Sequence, residues 1–108
     1  MICITFERTP EGRYKALTVL GHADSVEEGA DLVCCSVSVL TINLVNSLKA
    51  LTSDAFSLTE DEETGMISIV FEDFPSREAD LLMRSYDLGV HSIADEYAAW
   101  LDVRTKEV

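Results

Sequence analysis

Basic residues are scarce in this sequence. Among 108 residues there are eight Lys and Arg against twenty Asp and Glu, a formal charge of −12 at pH 7. A surface this acidic repels phosphate backbones, which argues against direct nucleic-acid binding. It would draw in a basic partner or substrate instead, but charge alone favours the plainer reading that it merely keeps the chain soluble. Cysteine is sparse too: Cys3, Cys34 and Cys35 form no C-x-x-C pair. Neither a zinc site nor a thioredoxin-like motif has support, and no metal or cofactor is expected. Long apolar runs are missing. The longest uncharged stretch, Leu32 to Leu48, is broken by Ser36, Ser38, Thr41, Asn43, Asn46 and Ser47, and falls short of the roughly 20 apolar residues of a membrane span. The opening Met1-Ile2-Cys3-Ile4-Thr5-Phe6-Glu7-Arg8 has no basic segment ahead of an apolar run, so no leader peptide is expected. Together these absences point to the cytoplasm, where three thiols stay reduced.

Repeats, low-complexity tracts and linkers are also lacking, so residues 1–108 are expected to form one domain. With 47% apolar residues, the chain can bury a core without staples. Ile2 to Glu7 alternates as a half-buried strand does, Thr9-Pro10-Glu11-Gly12 has turn chemistry, and Tyr14 to Leu20 returns as a second strand. From Leu32 the period changes. Val33, Val37, Leu40, Leu44, Leu48 and Leu51 recur at steps of three and four, with Asp31 placed as N-cap. This helix is apolar over most of its girth and is expected to pack centrally. Ala55 to Glu60 and Met66 to Glu72 form a second hairpin, whose acidic run Glu60 to Glu63 reads as a solvated tip. Pro75-Ser76 opens another helix, with Ala79, Leu82, Tyr86, Val90, Ile93, Tyr97 and Leu101 on its buried stripe. Gly89 inside it suggests a kink or close packing. The expected architecture is α+β: a two-layer β-β-α-β-β-α domain with an antiparallel sheet covered by two helices.

Chemistry concentrates between the first hairpin and the first helix. His22 follows the strand end, and Cys34 falls at the third helical position if Asp31 is the cap. First-turn amides carry partial positive charge, which favours a thiolate and could hold an oxyanion. A histidine within reach can take the thiol proton and return it to a leaving amine. The loop Ser25 to Gly29 could act as a lid. Plainer readings exist for each residue: a core thiol, a surface histidine, a helix cap. Ser38 shares a face with Cys34, where it can donate to the sulfur or bond back to a helix carbonyl. Cys35 points about 100° away around the helix and is expected in the core. His91 reads as a surface residue.

Gly21-His22-Ala23, then Gly29, Asp31 and Val33-Cys34-Cys35-Ser36-Val37-Ser38 resemble the signature of the Prp family, the bacterial ribosomal-processing cysteine proteases. The resemblance extends over essentially the whole chain. The histidine and cysteine twelve positions apart are its most specific part. Cys35 departs from it, since members usually carry a small residue there. The resemblance implies that Cys34 is the nucleophile and His22 the general base and acid, with Asp31 and Ser38 in support. It implies a substrate too: a large-subunit ribosomal protein, number twenty-seven, whose N-terminal extension is cut after a hydrophobic, phenylalanine-containing stretch. A partly apolar groove and a homodimer follow. Two other readings compete: a noncatalytic module that binds a ribosomal protein or assembly factor, and a redox sensor using Cys34 with Cys35. The latter needs distorted backbone geometry.

Overall fold

The computed structural model describes residues 1–21 and 29–108. Two hairpins form where alternation and turn chemistry place them. Strands β1 (Ile2–Arg8) and β2 (Tyr14–Leu20) pair antiparallel, as do β3 (Phe56–Asp61) and β4 (Met66–Phe71), and β2 pairs antiparallel with β4. Helix α1 runs Ala30–Leu51 and α2 runs Arg77–Glu96. The α+β character and both helices match the sequence reading.

The sheet has a fifth strand, and this corrects the expected all-antiparallel sheet. Helix α2 stops at Glu96, where the Tyr97 amide caps back onto the Ile93 carbonyl. Leu101, expected on the helix stripe, instead opens β5 (Leu101–Glu107), which pairs parallel with β1. The order is β3-β4-β2-β1-β5, with three antiparallel pairs and one parallel pair. Asp102, Arg104 and Lys106 line this outer strand beside Cys3, Thr5 and Glu7, and such charges discourage a further chain from adding to the edge.

Alternation assigns each strand two faces. Ile4, Phe6, Leu17, Val19 and Ile69 turn toward the helices, where Val33, Val37, Leu44 and Leu48 of α1 and Met83, Tyr86 and Val90 of α2 meet them in one core. A polar pair lies inside it. Thr41 donates to the Val37 carbonyl at 2.7 Å, so the Tyr86 hydroxyl, 2.8 Å away, donates to Thr41. Burial pushes the Tyr86 phenol up to about 12, which keeps that donor neutral across the physiological range. Gly89 lets α2 approach α1 closely, since a Cβ there would lie 3.2 Å from Leu40 Cδ1.

Helix α1 is long and apolar enough to cross a membrane by length and composition alone, but its buried residues pack on its own sheet and α2. It does not pack centrally as expected. In two layers only one side of a helix is covered, and Leu32, Cys35, Val39, Ile42 and Leu51 are exposed.

Helix α2 begins on a built cap. The Ser76 hydroxyl accepts from the Ala79 amide at 3.2 Å and donates to Asp54 at 2.5 Å, while the Ser76 amide donates to the same carboxylate at 2.7 Å. Burial pushes the Asp54 carboxyl up, but hydrogen bonds, foremost those from Ser76 and then Thr52, together outweigh this and hold it below its ordinary value. A depressed folded-state value stabilises the fold above the unfolded-state value, and that stability is lost as pH falls through the folded value. Ser76→Ala is therefore expected to cost about 1–2 kcal/mol at neutral pH and to shrink the acid-side loss in urea titrations. An unchanged acid limb would refute the linkage.

Candidate active site

Cys34 lies on the wall of a cavity of about 330 Å³ between the N-terminal half of α1 and the ends of β2, β3 and β4. Gly21, the last described residue before His22, lies on the same wall. Ile2, Val19, Val37, Ile42, Met66 and Ile67 make much of the lining apolar, and Ser38 and Thr41 add hydroxyls. Glu60, Asp61 and Glu62 close one side. The acidic hairpin tip is exposed, as read, and it also borders the cavity. Its signal in the sequence was the charge run itself, whose place in space only the sheet order reveals.

The local chain path explains why Cys34 arrives there. Gly21 ends β2 with φ 95°, and an added Cβ would lie 2.6 Å from the Met1 carbonyl oxygen. Only glycine fits this turn without displacing β1. Gly29 then starts α1 with φ 102°, against Trp100 and Tyr97. Gly29, not Asp31, is the N-cap, and among the described residues no side-chain hydrogen bond caps the helix start. The helical ladder begins with the Val33 amide donating to the Gly29 carbonyl at 3.0 Å. Cys34 is accordingly the fifth helical residue, not the third. The amides without an intrahelical partner belong to residues 30–32, and the backward tilt of a helical Cβ leans the Cys34 side chain toward that turn.

The structure therefore brings Cys34 and Ser38 together on one cavity. Asp31 is exposed in the first helical turn and does not line it. His22 and most of the expected lid, residues 25–28, lie outside the described residues. Cys34 is half-buried, whereas Cys35 is exposed, not in the core as expected, because the helix turns it toward the uncovered side of the second layer. His91 is a surface residue as read, its Nδ1 2.7 Å from Asp87 Oδ1. At that opposite end of β1 the Tyr14 hydroxyl donates to Asp87 Oδ2 at 2.7 Å, and burial followed by the Asp87 bond pushes the Tyr14 phenol far up. Among the described residues, no group of three His, Cys, Asp or Glu is placed to hold a metal ion.

Residues 1–102 match the family model described as cysteine protease Prp. The chain belongs to the Prp family of cysteine proteases. A ribosomal processing cysteine protease Prp of Staphylococcus aureus is 30% identical over 97 residues, which are 90% of this chain and 92% of that protein. A crystal structure of the S. aureus Prp with a substrate peptide superposes with TM-score 0.91 at 27% identity, covering 98% of this chain and all of the other. A second, with a covalently linked product peptide, gives 0.90 at 28% identity and the same coverage. A Streptococcus mutans protein gives 0.88 at 29% identity, over 100% of this chain and 99% of its own. Membership in Prp makes this chain a cysteine protease, and the two thiols of its signature segment differ in surroundings. Cys35→Ala is expected to change cleavage by no more than about twofold, the usual effect of an exposed substitution. A peptide-cleavage assay showing a larger loss would place Cys35 in the chemistry.

Proposed function

We propose that this protein is an endopeptidase that removes the N-terminal extension of a large-subunit ribosomal protein, number twenty-seven, using Cys34 as nucleophile and His22 as general base and acid. The observation that carries the reading is the half-buried Cys34 on a cavity whose wall also holds Gly21, the residue covalently joined to His22. His22 takes the thiol proton, and the sulfur attacks the scissile carbonyl carbon. The carbon–nitrogen bond breaks, the amine leaves with the proton from His22, and a thioester remains on Cys34. A water then loses a proton to His22 and attacks the thioester, which releases the carboxylate and returns the thiol. The first-turn amides of α1 are the nearest helical donors for the oxyanion. Ser38 supports the site from the next helical turn, and Asp31 acts on the charge of the segment without lining the cavity.

Charge supports the substrate class: a chain at −12 with Glu60, Asp61 and Glu62 on the cavity favours a basic ribosomal protein and disfavours nucleic acid. The same substrate places the protein in the cytoplasm, and nothing in the cleavage chemistry needs a membrane. The exposed Leu32 and Val39 on α1 support a homodimer. The test is mass spectrometry of a peptide spanning the extension, incubated with wild type, Cys34→Ala and His22→Ala. A single cut made by wild type alone is expected. Binding without any cut would favour a noncatalytic ribosomal-protein module.

A further inference from the structure

Trp100, the sole tryptophan of the chain, stands in the turn between α2 and β5. It does not line the Cys34 cavity, yet two segments that build that site are fastened to it. The Ile2 amide donates to the Trp100 carbonyl at 2.9 Å, and Ile2 is part of the cavity wall. Its ring lies over the start of α1. A Cβ on Gly29 would be 3.1 Å from Trp100 Cζ3 and 3.5 Å from Tyr97 Cε1, so only glycine lets the two rings come this close. The rings brace each other with centroids 6.4 Å apart. The Trp100 amide donates to the Tyr97 carbonyl at 3.0 Å, and the Tyr97 amide donates to Ile93 of α2. The aromatic pair is therefore anchored to α2 and β1, and α1 rests on it. Helix ends fray unless something holds them. Here no side-chain hydrogen bond caps the start of α1 among the described residues. What holds it is packing: Gly29 under the two rings and Ala30 wholly buried. The Gly29 carbonyl then receives the first ladder bond, from the Val33 amide, and Cys34 is the next residue.

We propose that Trp100 is a positioning residue: its ring, braced by Tyr97, seats Gly29 and so fixes the first turn of α1 and Cys34 relative to the cavity. This rests on the protease reading above, and a readout independent of cleavage keeps the failures apart. Amide hydrogen exchange is followed by NMR in wild type, Trp100→Ala and Trp100→Phe, and kcat and KM are measured on the extension peptide. Trp100→Ala keeps the backbone bonds to Ile2 and Tyr97 and removes only the ring. The Val33 amide should then exchange about tenfold faster or more relative to the Leu48 amide, deep in the same helix. A ratio is read, so a general loss of stability cancels. The kcat should fall about tenfold or more, less than the 10²–10³ of losing an oxyanion donor outright. KM should move by less than about threefold, because the first turn acts on the transition state while the cavity walls still hold the substrate. Trp100→Phe keeps a shorter ring beside Tyr97 and should recover part of both losses. It also carries the test if Trp100→Ala does not fold. A wild-type Val33 to Leu48 exchange ratio, a wild-type kcat with a loosened first turn, or a rise in KM alone would each overturn the role of Trp100. Faster Val33 exchange in the variants, with no cleavage by any protein including wild type, would keep the seat of α1 and overturn the protease.

Discussion

Cys34→Ala is expected to fold like the wild type and to lose cleavage by a factor of about 10⁴ or more, the scale of removing a covalent nucleophile. The two effects separate because the thiol is half-buried. Deleting one sulfur from the wall of an open cavity removes little packing, about 1 kcal/mol or less by comparison with buried large-to-small changes. The chemistry has no substitute at that place. Ser38 lies one turn further along α1, and Thr41 is engaged with Val37 and Tyr86. His22→Ala should leave a thiol without a base and reduce cleavage by about 10²–10⁴. Thermal unfolding with peptide cleavage on the same samples checks both. An active Cys34→Ala protein, or one unfolded at 25 °C, would contradict the account.

Gly21→Ala is expected to damage activity although it alters no ionisable group. An L residue at φ 95° is strained, and its Cβ would lie 2.6 Å from the Met1 carbonyl oxygen, closer than atoms pack. Either β1 shifts at Ile2, which lines the Cys34 cavity, or the turn leading into His22 rotates. Both move a wall or a reacting group by a substantial part of an ångström. A misplacement of about 1 Å can cost a factor near 10² in rate, and backbone strain of this kind costs about 1–3 kcal/mol. Loss of kcat/KM by tenfold or more, with a lowered urea midpoint, is expected. Wild-type kcat/KM in a Gly21→Ala protein would show that the turn does not position the site.

The parts legible in the sequence were those where one short-range pattern decides. The hairpins of β1–β2 and β3–β4 carry period-two alternation around turn residues, and α1 carries a period near 3.6. Strand β5 was hidden because its pairing is long-range, to β1 at the other end of the chain. Leu101 and Val103 supply almost all its apolar signal, and Leu101 also fits the stripe of α2. The start of α1 was misplaced by two residues because Asp31 is a good cap by type. A glycine in the left-handed region at position 29 instead reflects contact with Trp100, which no local rule contains. Cys35 was assigned to the core from its angle to Cys34, but angle alone does not say which side of a helix a second layer covers. In the site, the neighbouring Gly21 and Cys34 were legible as a motif, whereas the contribution of Glu60, Asp61 and Glu62 depends on β3–β4 lying beside α1.

The most direct test of Cys34 as the nucleophile is limited alkylation with peptide mapping. Wild-type protein is treated with substoichiometric iodoacetamide, and residual cleavage is compared with the fraction modified at Cys3, Cys34 and Cys35. Activity should fall one-for-one with modification of Cys34 and be independent of modification at exposed Cys35. Cleavage that survives complete alkylation of Cys34 would contradict the account.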